Sequence, residues 1–225
     1  MREFLRRIRR HWNWTDTIVL GSNTAAFGLF IGNCWWEFLW VTHLALLLPL
    51  TIQVLRARLV RDALREALVF GTVVGWSWPV GERFVVRVFG WWGEYVATGI
   101  MVLDTPLYTV LVGWLASAYC YYVGRRAIDL GYGPAFSAMS SGMSALCLGI
   151  IGENLFIGAR MWVYDRSALD LWSVPAFVPV AYGIGYACLP LLWRFTVVVR
   201  AVLFNVIMLL LTVGMGLAVG FFPRP

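Results

Sequence analysis

Four carboxylates stand where an acid is expensive to place. Glu37, Glu82, Asp104 and Glu153 lie at the ends or inside of apolar stretches, and an ionisable group there marks a functional site. Indoles and phenols surround them in sequence. Trp35, Trp36 and Trp40 flank Glu37; Trp76 and Trp78 precede Glu82, with Trp91, Trp92 and Tyr95 after it; Asn154, Trp162 and Tyr164 follow Glu153. Burial disfavours the charged form of a carboxyl, so an acid set among aromatic rings keeps its proton and can act as a general acid. Ring faces then stabilise a developing cation by about 0.5–2 kcal/mol each. Protonation of an isoprenoid double bond, followed by hydration or cyclisation, needs these two elements and no metal. Glu37, Glu82, Glu153 and Asp104 are the expected proton donors or water-positioning bases. Trp36, Trp40, Trp78, Trp92, Tyr95, Asn154 and Trp162 are the expected substrate contacts. Each acid has a structural rival: a solvated turn for Glu37, an ion pair with Arg160 for Glu153, proximity to Arg83 for Glu82, and a helix cap for Asp104.

The elements that must position these groups are membrane spans. Sixty per cent of the 225 residues are hydrophobic and 13% are charged, about half the charge of an ordinary soluble domain. Apolar segments fall near 16–33, 35–55, 66–82, 105–124, 135–158, 172–193 and 199–221, each close to the ~20 residues a span requires. The expected fold is all-α, a polytopic integral membrane protein of about seven transmembrane helices. Residues 1–14 form a basic cytoplasmic N-terminal segment, and residues 15–225 a single membrane domain. Threading from a cytoplasmic N-terminus puts thirteen of the eighteen arginines inside, as the positive-inside rule requires. The same threading sends seven of the twelve carboxylates and most tryptophans to the outer level. Residues 84–104 are expected to be interfacial or re-entrant, because Arg87 and Glu94 oppose an eighth span. The pairs Gly28/Gly32, Gly71/Gly75 and Gly216/Gly220 suit close helix packing. No internal repeat is evident.

Every basic residue is arginine, so lysine Schiff-base chemistry is excluded. Two histidines, and four cysteines scattered singly, give no metal spacing. No cofactor is expected. The expected partners are a hydrophobic isoprenoid or carotenoid substrate and membrane lipid rather than nucleic acid. The oligomeric state stays open.

Two resemblances bear on the chemistry. Glu82, Phe89-Gly90, Tyr95, Thr98, Thr105-Pro106, Trp114 and Tyr119 resemble the middle of the membrane carotenoid hydratases of carotenoid biosynthesis. In that family a glutamate precedes a Phe-Gly-x-Tyr-x-Tyr-Thr element, and a Val-Pro then opens a helix containing a Trp. Gly152-Glu153-Asn154, Met161-Trp162-Val163-Tyr164 and Val174-Pro175 resemble the family's Glu-Pro, Phe-Trp-x-Trp and Gly-Val-Pro sequence. The likeness covers about 80–195, with Trp91-Trp92 interrupting the tyrosine element and Asn154 in place of the proline. Separately, Asn33-Cys34-Trp35-Trp36-Glu37 is similar to the Asn-x-x-Trp-Glu element of membrane-bound meroterpenoid terpene cyclases, which implies Glu37 as an acid acting on an alkene or epoxide.

Together these readings give an expected intramembrane isoprenoid-modifying enzyme of a multi-pass cell membrane, a bacterial inner membrane, adding water to a polyene double bond. A terpene cyclase is the rival reaction. A non-catalytic membrane subunit holding pigment, quinone or lipid is the rival class.

Overall fold

Helix α1 (Ala63–Phe89) carries Glu66 in its first turn and Arg87 in its last, the arrangement a helix dipole favours. The computed structural model describes residues 6, 16, 17, 21, 63–89, 93–96, 100–158, 160–164 and 169–220, and elements are numbered over these. After α1 come three short strands, β1 (Gly93–Tyr95), β2 (Met101–Val102) and β3 (Thr105–Pro106), and then helices α2 (Leu107–Asp129) and α3 (Pro134–Gly158). Strands β4 (Trp162–Tyr164), β5 (Asp170–Leu171) and β6 (Val174–Pro175) precede α4 (Phe177–Ala187), the single turn α5 (Leu189–Leu192) and α6 (Val197–Ala218). The fold is mostly helical. The short strands depart from a purely helical expectation, and all of them lie in segments that join helices.

Among the described residues α2, α3 and α6 are long and apolar enough to cross a membrane. The apolar stretch expected as one span at 172–193 divides instead into the β5–β6 hairpin, α4 and α5. The described residues of 84–104 hold the end of α1 and two strands, β1 and β2. The first two expected spans, the basic N-terminal segment apart from Arg6, and Gly28/Gly32 lie outside the described residues.

Two glycines set the contact between α1 and α2. A Cβ on Gly71 would meet the Trp114 carbonyl oxygen at 2.6 Å, and one on Gly75 would meet Trp114 Cα at 2.8 Å. Backbone cannot yield as a flexible side chain does, so the small residues let the helices touch. Gly75→Leu is expected to cost about 1–3 kcal/mol by overpacking, read as a lower denaturation midpoint of the purified protein in detergent. An unchanged midpoint would contradict the Trp114 contact.

The charges divide between the two ends of the helices. Where α1 and α6 begin and α2 ends, Arg200 pairs with Glu66 at 3.1 Å, and Arg125 with Glu66 at 3.6 Å and Asp129 at 3.3 Å. Buried Asp16 accepts from Arg126 Nε at 2.8 Å and from the Tyr122 hydroxyl at 2.6 Å. These acids are neutralised by arginine. Among the described residues no arginine pairs with Glu82 or Glu153, at the opposite ends of α1 and α3.

The structure also contains an internal repeat that the sequence reading missed. β1 pairs antiparallel with β4, and Glu94 faces Val163 at the centre of the register. In the β2–β3 hairpin Met101 pairs with Pro106 and Val102 with Thr105; in β5–β6 Asp170 pairs with Pro175 and Leu171 with Val174. Each hairpin turns through a bulky residue in the left-handed region, Leu103 (φ 57°) and Trp172 (φ 61°). Each closes alike: Leu107 N donates to Ile100 O at 2.7 Å, and Ala176 N to Leu169 O at 2.9 Å. A unit of acid-bearing helix, strand, hairpin and helix therefore occurs twice, and the two copies pair through β1 and β4.

Candidate functional site

A cavity of about 200 Å³ lies among α1, α2, α3, α4 and α6, and both Glu82 and Glu153 line it. Its wall follows α2 from Thr109 to Cys120, about 16 Å at 1.5 Å per residue. Trp78, Tyr95, Phe156, Trp162, Tyr164 and Tyr182 supply aromatic surface. No arginine or histidine is among the described lining residues. A cation formed inside would therefore meet ring faces and carboxyls, with no fixed positive charge opposing it.

The two acids are held differently. Glu82, on the last turns of α1, is buried. Its Oε1 accepts from the Tyr95 hydroxyl and its Oε2 from Thr105 Oγ1. Both partners belong to the strands that follow the helix in the same copy of the repeat. Glu153, also buried, accepts three hydrogen bonds: Trp162 Nε1 at 3.0 Å and Tyr164 Oη at 2.9 Å on Oε2, and Tyr182 Oη at 3.0 Å on Oε1. No ion pair joins it to Arg160 among the described residues, and Arg160 is exposed. Burial, and then the neighbouring carboxyl, push the Tyr95 and Tyr164 phenols well above their ordinary range. Each phenol therefore keeps its proton.

Local packing explains these positions. The β1–β4 pairing sets Tyr95 opposite Trp162, with their rings edge to face at 6.3 Å. Trp162 also stacks on Phe156 at 4.7 Å, so the indole N–H is aimed from a fixed ring. Gly149 on α3 admits α4: a Cβ there would meet Pro179 Cα and Tyr182 Cδ2, each at 2.9 Å. That approach brings the Tyr182 phenol to Glu153.

Glu82, Glu153, Trp78, Tyr95 and Trp162 thus converge on one cavity as the sequence suggested. Asp104 does not. It sits exposed in the β2–β3 turn, 3.4 Å from Arg83, and it does not line the cavity. Nor does it cap α2, whose N-cap is Pro106 with no side-chain cap bond; neighbouring Thr105 spends its hydroxyl on Glu82. Asn154 is also reassigned. Its Oδ1 accepts from Ser173 N at 2.9 Å and its Nδ2 donates to Leu171 O at 3.2 Å, so it fastens the β5–β6 hairpin to α3 instead of facing a ligand. Glu37, Trp36, Trp40 and Trp92 lie outside the described residues. Tyr164, Tyr182 and Thr105 were not among the expected site residues. The first and last stand in the quoted motif stretches, whereas Tyr182 is one aromatic in an apolar helix and carried no signal.

No protein-family model, no curated protein and no solved structure matches the chain.

Proposed function

We propose that this chain is an intramembrane isoprenoid-modifying enzyme, similar in chemistry to the carotenoid hydratases, in which Glu82 and Glu153 act on the end of a polyene. The observation that carries the reading is the convergence of two buried carboxyls, from helices 71 positions apart, on one aromatic cavity without a lining arginine or histidine. The described spans belong to a seven-helix protein of a bacterial inner membrane. Its N-terminus is cytoplasmic, with the arginine-paired end of the helices inside and the cavity's acid end toward the outer level.

Size limits what enters. A cavity of roughly 150 Å³ takes a benzene molecule, so one of about 200 Å³ takes the end group of an isoprenoid and leaves the remaining chain in lipid. Glu82 is the proton donor. Its two partners are hydroxyls, which accept as readily as they donate, so they suit a protonated carboxyl. Glu153 is the base, because the indole on its Oε2 can only donate and three donors favour a carboxylate. The proton of Glu82 goes to the inner, CH carbon of the terminal double bond, and the π pair becomes the new C–H bond. The tertiary cation left behind faces the rings. A water oxygen forms the C–O bond, and its surplus proton goes to Glu153. Transfer of that proton back to Glu82 resets the site.

Production of the chain in a polyene-forming host, with mass analysis of the pigments, tests this. The expected product is heavier by one water. A rearranged product of unchanged mass would move the reaction to cyclisation, and an unaltered pigment would remove the enzymatic reading in favour of a binding subunit.

A further inference from the structure

The proton that Glu153 takes up must return to Glu82, and the strand pair that bonds to both acids supplies a path. Among the described residues each acid has its own partners: Tyr95 and Thr105 on Glu82; Trp162, Tyr164 and Tyr182 on Glu153. One partner of each is a phenol from the β1–β4 pair.

The register brings those two phenols together. Gly93 pairs with Tyr164 and Tyr95 with Trp162. Side chains alternate along a strand, so these four residues share one face of the ribbon, and all four line the cavity. Glu94 and Val163 fall on the other face and are exposed. Tyr95 and Tyr164 are therefore diagonal neighbours, about 7–8 Å apart at the backbone and within reach of one another's side chains. The residue directly across from Tyr164 is glycine, where a Cβ would meet Tyr164 Cα at 2.9 Å. No β1 side chain thus competes for the space over Tyr164. The phenols also feel one another: after burial, Glu153 and Tyr182, the Tyr95 phenol is a further cause of the raised Tyr164. Of the residues in β1 and β4, this tyrosine is the one that both copies of the repeat keep in the same place.

We infer that Tyr164 and Tyr95 form a relay that returns the proton from Glu153 to Glu82 after each reaction. This rests on the hydration reading above and deepens it. The O–H bond of protonated Glu153 breaks as its proton bonds to Tyr164 Oη. The Tyr164 proton passes to Tyr95 Oη, and the Tyr95 proton to Glu82 Oε1. One proton enters the chain and one leaves, so both phenols end neutral. The three shifts are concerted, because phenols held so far above their ordinary range do not persist as phenolates. Rotation of the two hydroxyls restores the starting bonds. Both tyrosines act through an acid and are positioning residues.

Tyr164→Phe and Tyr95→Phe remove a hydroxyl and keep the ring. Glu82 retains Thr105, and Glu153 retains Trp162 and Tyr182. The purified protein in nanodiscs is given lycopene, a linear polyene with isopropylidene ends, and hydrated product is followed from the first turnover. The expected change is in a ratio: later turnovers slow about 10²-fold relative to the first, the lower end of what a positioned proton transfer contributes. The double variant is expected to be no slower than either single one. Tyr182→Phe, which takes a phenol from Glu153 outside the relay, is expected to slow first and later turnovers together. Equal slowing of both phases in Tyr164→Phe overturns the proposal, as does a burst in Tyr182→Phe.

Infrared spectra of the protein without substrate, moved from H₂O to D₂O, decide the path apart from turnover. The carboxyl band lost in Glu82→Gln identifies Glu82, which is expected to take its deuterium by way of Glu153. Its deuteration is therefore expected to slow about tenfold or more in Tyr164→Phe, although Tyr164 bonds to Glu153 alone of the two acids. That result establishes the relay even with no polyene converted. An unchanged rate removes it even where hydration is observed.

Discussion

Glu153→Gln is expected to lower conversion of the polyene by about 10²–10⁴-fold, the usual worth of a positioned acid or base, while leaving the protein folded. The hydrogen-bond inventory predicts both halves of that result. Glutamine matches glutamate in volume, and its carbonyl oxygen can still accept from Trp162 Nε1 and Tyr164 Oη. Its amide nitrogen then meets the Tyr182 phenol, which can reverse from donor to acceptor. Every partner remains satisfied, so the cavity keeps its shape. The variant has lost only the capacity to take up a proton. Glu82→Gln is tolerated in the same way, since Tyr95 and Thr105 offer hydroxyls, and it should also abolish deuterium incorporation from D₂O. The double variant is expected to be no slower than the slower single one, because groups that act in one proton cycle are not additive. Retention of full conversion by Glu153→Gln, with protein amount checked by immunoblot, would sink the assignment.

The sequence disclosed Glu82 and Glu153 by their setting, at the ends or inside of apolar runs among aromatic residues. It could not disclose that Arg83 pairs with Asp104 and not with Glu82, while arginines do pair with the buried or half-buried Asp16 and Glu66. Hydropathy likewise disclosed the long helices, which lipid selects by length and composition. It could not disclose turns. Two-residue strands have no periodicity to detect, so the residues from 105 read as a helix start, and Asp104 before them as a proton donor or, in its rival role, a helix cap. The same hairpin geometry makes Asn154 a staple, since its partners are backbone atoms of residues 171 and 173. The repeat was hidden for a related reason. Over the matching stretches 93–107 and 162–176 only Tyr95/Tyr164 and Pro106/Pro175 are identical, and the acids Glu82 and Glu153 fall two residues out of that step. Backbone pairing holds the two copies alike while most side chains diverge. Tyr182 belongs to a third category. It lies in a helix whose sequence says only that it is buried, and its role follows from which helix packs opposite.

Arg200→Leu is expected to be the most damaging change to stability, about 3–5 kcal/mol, the scale for breaking a buried ion pair by removing one partner. Arg200 is 5% exposed, and its guanidinium serves α1, α2 and the end of α5 at once. Nη1 donates to Glu66 Oε2 at 3.1 Å on α1 and also to the Tyr121 hydroxyl on α2. Nε donates to Leu192 O at 3.3 Å, and Nη2 to Trp193 O at 3.1 Å and Phe195 O at 2.8 Å. Those carbonyls lie at and just past the end of α5, where Leu192 O also accepts from Phe195 N at 3.0 Å and no further helical turn follows to serve the other two. The cation also lies 4.8 Å from the centre of the Trp193 ring. Leucine fills comparable space but removes an arginine from Glu66 and the donor from the Trp193 and Phe195 carbonyls in one step, and no other described arginine replaces the fork, since Arg125 reaches only Glu66 and Asp129. Lysine is expected to recover part of the loss, through the charge on Glu66, but not the fan of carbonyl bonds, which needs the planar five-donor group. Denaturation of purified wild type, Arg200→Leu and Arg200→Lys in the same detergent measures this order. A leucine variant as stable as wild type would show that the end of α5 is held by packing alone.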